Sequence, residues 1–367
     1  VRRFFFIIIG FKFCMYYIRS LYIFFSILAL IIFFFSTKEV EAKSFEINNI
    51  EISIPFENDF DKNNVIDSGF KKAFFELIYT LTKSSDHKKI KSIQLNKIKS
   101  MIETFSIQEE KFIDQIYYVK LGVSFNKKKI FNYLEKKNIF PSQIIREKFL
   151  FIPIIIDENI NDLIIFSKNP IYNKWNEDKS RFALINYLLP TEDLEDLNLI
   201  KKNLDNIENY NFNEITKKYS LDNYIISLIF KSKNEIRVLS KIFNKKNEII
   251  KNDTFKNIDL SKQKDLSIFI NDLKNSFEDN WKKLNEINTS IKLPIVIKFK
   301  NNDVRKTMQF EAVLNDIELV NDFFIKRFDK EFVFYEILFN GSVQNFINIM
   351  QNKDYNLNTQ KKVWTME

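Results

Sequence analysis

Between Leu21 and Ser36 the chain reads LYIFFSILALIIFFFS, sixteen residues without a charge. A stretch of this kind has no polar side to turn toward water, so it separates a segment that must leave water from a remainder that folds after it. It falls short of the roughly 20 apolar residues of a spanning helix and matches the apolar core of a secretory leader. Arg19 stands before it, and Val40-Glu41-Ala42 puts compact residues three and one before a cut. Cleavage after Ala42 is therefore expected, leaving a periplasmic chain that begins at Lys43. The alternative is an uncleaved anchor around Leu21 to Ser36 that tethers the protein to the inner membrane. Met15 reads as a more natural start than Val1, and the Phe-Lys-Phe before Cys14 is not a lipobox.

Several chemistries are removed by composition. Cys14 is the only cysteine and precedes the cut, so disulfides, thiolate nucleophiles and cysteine metal sites are not expected in a processed chain. His87 is the only histidine, in a polar Ser-Ser-Asp-His-Lys-Lys stretch, and is expected to be a solvated loop residue. Zinc sites and Ser-His or Cys-His nucleophile systems therefore lack their parts. Past the leader only Gly69, Gly122 and Gly341 remain, too far apart for a glycine-rich phosphate loop. No cofactor is expected. The net charge of +8 includes five basic against two acidic residues in 1–42. What is left is a mild field over the rest of the chain, and no nucleic-acid partner is expected. The 40 Phe travel with abundant Ile, Asn and Lys, as AT-rich coding would produce, so the lysine count carries little by itself.

Periodicity in the remainder predicts an α+β protein of two or three small sandwich-like units with mixed or antiparallel sheets. The divisions fall at 1–42 for the leader or anchor, 43–147, 148–289 and 290–367. In the first unit Phe45 to Pro55 alternates as a strand, and Val65 to Lys83 carries apolar residues at helical spacing. A second helix is expected through Ile98, Met101, Ile102 and Phe105. Tyr117, Val119, Leu121, Val123 and Phe125 then alternate strictly, before a short helix from Lys127 to Asn138. The middle unit opens on Phe149 to Ile156, a continuous apolar run that reads as a strand buried on both faces. A brief helix is expected at Asn169 to Asn176, a strand from Arg181 to Leu189, and helices at Leu194 to Leu204 and Asn213 to Tyr219. Antiparallel strands follow at Tyr224 to Phe230, Ile236 to Phe243 and Glu248 to Asn252. A long helix on Leu266, Phe269, Ile270, Leu273, Phe277, Trp281 and Leu284 closes the unit. The last unit runs β-α-β-β-α-β, the ferredoxin-like order, with Val363-Trp364 as its closing strand.

The helix GFKKAFFELIYTLTK from Gly69, the strand YYVKLGVSF from Tyr117, the apolar strand from Phe149, LLPTEDLEDL from Leu188 and ITKKYSLDNYIISLIF from Ile215 together resemble the bacterial domain-of-unknown-function family 2066 of exported proteobacterial proteins. The resemblance spans most of residues 45–340. The sequence departs from it at Thr82-Lys83, where a Thr-Gly often stands, and at Arg146-Glu147-Lys148, where an Arg-Pro pair is common. The middle unit also looks like the amino-terminal domain of TolB and CsgG-type modules. These likenesses imply protein–protein work with envelope partners.

Two candidate sites stand out. Glu192, Asp193, Glu195 and Asp196 concentrate carboxylates after a strand and turn, as a cation site or a general acid/base pair would need. The simpler expectation is that Thr191 or Asp193 caps the following helix and the other acids favour its dipole. Trp175, among Asn173, Lys174, Asn176 and Glu177, is expected to pack in the core or at an edge, with a partner contact on the surface as its alternative. The leading expectation is a non-enzymatic envelope protein that binds other envelope proteins. The alternatives are a hydrolase built on Asp193 and Asp196, and a binder of a small apolar ligand.

Overall fold

The strictly alternating segment becomes β3 (Ile116–Asn126), the centre of a three-stranded antiparallel sheet ordered β1-β3-β2, with β1 (Ser44–Pro55) and β2 (Ile102–Ile113) on either side. The computed structural model describes residues 44–57, 60–160, 162–177, 182–233, 235–244, 247–300 and 304–366. The expected leader at Leu21 to Ser36, the cut after Ala42 and Cys14 all lie outside the described residues. Tyr117, Val119, Leu121, Val123 and Phe125 are buried beneath α1 (Lys62–Leu81). Phe70, Ala73, Phe74, Leu77 and Ile78 form the buried stripe of that helix. Asp61 starts it by accepting a hydrogen bond from the Asn63 amide at 2.8 Å.

The second expected helix is a correction. Only α2 (Leu95–Lys99) is helical, and from Ile102 the chain is β2. Ile102 and Phe105 satisfy a helical spacing by coincidence. Phe105, Ile107 and Phe112 instead face the same side as Val123, Leu121 and Tyr117, their partners in β3. The hairpin closes through Asp114 and Gln115, both with left-handed φ (50° and 61°), the pairing that a tight two-residue turn demands. α3 (Lys127–Lys136) follows, capped by Asn126, whose side chain accepts from the Lys129 amide.

In the middle unit β4 (Glu147–Asp157) is parallel to β6 (Ile185–Leu188) and β7 (Asn223–Lys231) and antiparallel to the short β5 (Asp162–Ile164). β8 (Glu235–Asn244) and β9 (Asn247–Lys256) extend the sheet antiparallel, giving a mixed sheet of six strands. The apolar run is buried on both faces. Phe149, Phe151 and Ile155 pack under α4 (Pro170–Lys174) and α7 (Gln263–Leu284). Leu150, Ile152, Ile154 and Ile156 pack on the other face with Ile200 of α5 (Leu194–Lys202) and Ile215 of α6 (Asn213–Thr216). A strand with a period of two and cores on both sides must be apolar at every position.

The last sheet is ordered β11-β12-β10-β14-β13, from β10 (Leu293–Lys300), β11 (Val320–Phe328), β12 (Phe332–Phe339), β13 (Leu357–Asn358) and β14 (Trp364–Met366). Helices α8 (Val304–Asp316) and α9 (Val343–Gln351) connect its strands. Its first four positions keep the ferredoxin-like order. The closing strand departs from that pattern: β14 runs parallel to β10, because the short β13 takes the antiparallel sense first and turns the chain back. One hydrophobic cluster joins the first and last sheets, with Phe74, Leu134, Ile297, Phe310 and Phe346 among its members. Two sheets far apart in sequence thus share a core. Among the described residues no helix is long and apolar enough to cross a membrane.

α1 packs tightly on β3 at Gly69, where a β-carbon would overlap the Cδ1 of buried Leu121. Gly69→Val is expected to lower unfolding free energy by about 1–3 kcal/mol through overpacking. Urea titration of the variant against wild type measures it.

Candidate functional site

α7 carries a row of polar side chains on its last two turns, and they meet the first unit along a seam. Lys282 is buried, and its Nζ donates to the carbonyl oxygens of Tyr79 at 2.5 Å and Thr82 at 3.1 Å. Those carbonyls belong to the carboxyl end of α1, which has no basic residue in its own last turn. The final carbonyls of a helix lack intrahelical partners and carry the negative end of its dipole. Lys282 supplies both the donor and the charge. The Leu81 carbonyl accepts from the Ser142 amide, and the Ile78 carbonyl from the Thr82 amide and hydroxyl.

One turn earlier, the Asp279 carboxylate accepts from the Ser84 amide (2.7 Å) and hydroxyl (2.6 Å), capping the 3₁₀ turn Ser84–Lys89. Lys83 pairs with Glu286 at 2.8 Å. Glu278 is buried and accepts from the amides of Leu184 and Ile185, which pins the start of β6. Burial raises its carboxyl above the ordinary range, against the pull of those amides and of Lys282. Trp281 donates from Nε1 to the Ile145 carbonyl at 2.8 Å.

His87 sits on this seam, and the expectation of a solvated loop residue is corrected. Its ring stacks on Tyr79 with centroids 4.2 Å apart, it is half-buried, and its Nε2 has no hydrogen-bond partner within the protein. Burial, then the neighbouring Lys282, push the imidazole below its ordinary value; a hydrogen bond to the Thr82 carbonyl and the charges of Asp279 and Asp86 oppose them.

Beside the seam, a groove of about 690 Å³ runs past the amino ends of β4, β6 and β7, where Arg146, Lys148, Asn186, Ser220 and Asp222 line it. Ligand crevices of open α/β sheets lie outside the carboxyl ends of the strands, the opposite rim.

The acidic cluster resolves into local supports. Asp193 caps α5 by accepting from the Glu195 amide at 2.8 Å. Lys218 fills the space between Asp193 and the buried Asp196, 2.7 Å from each. That ammonium holds the Asp193 carboxyl below its usual range. Glu192 accepts from the Ser167 amide at 3.1 Å, and Glu195 lies exposed in the first turn of α5. Among the described residues no group of three or more His, Cys, Asp or Glu is placed to hold a metal ion.

For Trp175 the structure takes the packing reading and overturns the surface alternative. It is fully buried, stacked on Phe151 at 3.9 Å and edge-on to Tyr187 at 5.2 Å. Its polar neighbours in sequence occupy the outer side of the chain, while Ile171 and Trp175, four apart, both point inward. A surface contact with a partner is ruled out for this side chain.

The exposed apolar side chains lie elsewhere. Phe105, Ile107 and Phe112 on the α1 side of β2, Ile113 and Ile116 on the opposite side at its turn, and Phe56 just past β1 are 40–58% exposed. Phe56 packs edge-on to Phe112 at 4.8 Å and against Phe60 at 4.7 Å, and Phe105 meets Phe70 of α1 at 5.0 Å. Alternation within 102–113 would have marked this face, had the segment not also matched a helical period.

Lys282→Met keeps the stem and removes the donor. It is expected to destabilise the protein by about 1–3 kcal/mol for each buried carbonyl left without a partner. Trp175→Ala should lose about 3–5 kcal/mol, as a large core side chain does. Asp193→Asn, which keeps the capping oxygen, should change stability little. Chemical denaturation of the three variants distinguishes these outcomes. No family model matches the chain, and no curated protein matches it.

Proposed function

We propose that this protein is exported and acts in the bacterial envelope by binding another envelope protein, without catalysing a reaction. The observation that carries the reading is the apolar cluster on the open edge of the first sheet. Monomeric surfaces rarely gather large aromatic and aliphatic side chains in one contiguous patch unless something covers it. The geometry leaves it open: α1 lies over β1 and β3, and β2 overhangs beyond it, exposed along nearly its whole length. Phe56, Phe105 and Phe112 are rigid apolar side chains of the aromatic kind enriched in protein interfaces.

The uncharged run from Leu21 to Ser36 supports export, and the likeness to family 2066 and to TolB or CsgG-type modules supports the envelope setting. Membership of that family is part of the same proposal. The acids that would serve a hydrolase are committed to a helix cap and an ion pair with Lys218, which leaves that alternative without support from the geometry.

Photo-crosslinking from residue 112 in growing cells, with fractionation of the adducts, tests the reading. One discrete envelope-protein adduct is expected, lost in Phe56→Ser/Phe105→Ser. Absence of any specific adduct from this edge overturns the binding reading. A reporter fused after residue 60 that stays inside the cell overturns the export. Because these side chains are at the surface, the double variant should change stability by no more than about 0.5 kcal/mol per site while weakening binding at least about tenfold.

A further inference from the structure

The seam between α7 and the end of α1 contains the chain's only imidazole, and the groups around that ring favour its neutral form. As neutral imidazole it stacks on Tyr79 from α1. The charged groups around it come from two elements. Asp86, in its own 3₁₀ turn, is bound to Lys89 at 2.7 Å. Lys282 and Asp279, from α7, are committed to the α1 carbonyls and to Ser84 respectively. Lys83, paired with Glu286, flanks the turn. Both carboxylates nearest the ring are therefore already engaged, and the Nε2 side offers a second proton no acceptor. The cation that acts against protonation of the ring, Lys282, bonds to the same Thr82 carbonyl that the ring itself addresses.

We propose that this seam is a pH-operated latch, closed while His87 is neutral and released when protonation places a second cation beside Lys282. Release detaches the carboxyl end of α1 and the 3₁₀ turn from α7, which uncouples the first unit from the middle one. This is independent of what binds at the β2 edge.

The direction follows from proton counts. Unfolded His87 takes up its proton near the ordinary value of about 6.5, and the folded ring does so at a lower pH. Between those two points the unfolded or opened chain binds the extra proton. The stabilisation from neutral His87 is thus fully present above about pH 6.5 and is lost as pH falls toward the folded value. Glu278 acts in the opposite sense: its carboxyl is raised, so acidification into its titration range favours the closed form. Only the difference between wild type and a His87 variant isolates the latch.

The experiment is a pair of measurements on the purified protein. The imidazole resonances are followed by NMR from about pH 8 to about pH 4.5, a range that brackets the ordinary histidine value. A single histidine makes the assignment unambiguous. Amide exchange of residues 79–90 and 278–287 is then compared across the same range, corrected for intrinsic exchange, in wild type and in His87→Gln. The expected midpoint lies below the ordinary value, and seam opening rises by up to about tenfold per pH unit between the two midpoints. His87→Gln should show no such rise. A midpoint at or above the ordinary value, or the same rise in His87→Gln, overturns the proposal. Should the variant fail to fold, the wild-type midpoint alone decides.

Discussion

A helix that ends inside a protein must find partners for its last carbonyls, and α1 finds them in another unit. The Tyr79 and Thr82 carbonyls both accept from Lys282, some two hundred residues along the chain. Burying that ammonium is costly unless its donors are used and an opposite charge is near. Two carbonyls at the negative end of a helix, with Glu278 and Asp279 on the same face of α7, offset part of that cost, while burial still holds the ammonium below its ordinary value. The neighbouring polar bonds, Ser84 to Asp279 and Lys83 to Glu286, depend on the same placement of α7. So does the strand-like segment at Ser142, which bridges to Glu286. The first unit is oriented on the middle one by this short polar row.

The first and middle sheets meet water on different terms. In the six-stranded sheet helices lie on both faces, and β4 and β7 are buried along nearly their whole length. The first sheet has α1 on one face only, with polar side chains such as Glu51 and Lys120 on the other, joined at 3.3 Å. An uncovered edge is a hazard for any sheet. β2 carries the usual protections, two register shifts along its pairing with β3 and the charges Glu103, Glu109, Glu110 and Lys111. These interrupt regular pairing along the edge while leaving the aromatic side chains accessible. That combination suits recognition through side chains better than open-ended strand addition.

Legibility differed between fold and site for identifiable reasons. Strict alternation at 117–125 admits one secondary structure, the unbroken apolar run at 149–156 favours a strand by its shortness and its isoleucines, and both segments are strands. The segment 98–105 satisfies two periods at once, and the choice fell to β3, which pairs with Ile102 onward. Asp193 was readable as a cap because capping is local, decided by a side chain and an amide two residues away. Trp175 was legible only in part, since its neighbours in sequence are polar and its neighbours in space, Phe151, Tyr187 and Phe277, come from other elements. His87 misled for the same reason.

The sequence alone determined the α+β class, most element positions and the two-faced burial of β4. These follow from composition and from periods of two and 3.6, which act over a single turn or strand. The tertiary structure alone decided that the first and last sheets share a core, that β14 runs parallel to β10, and that Lys282 caps a helix in another unit. It also decided that His87 is set against that lysine while β2 stays open. Each of these depends on which surfaces meet after the elements have formed. Such meetings join residues hundreds of positions apart, and no local period records them.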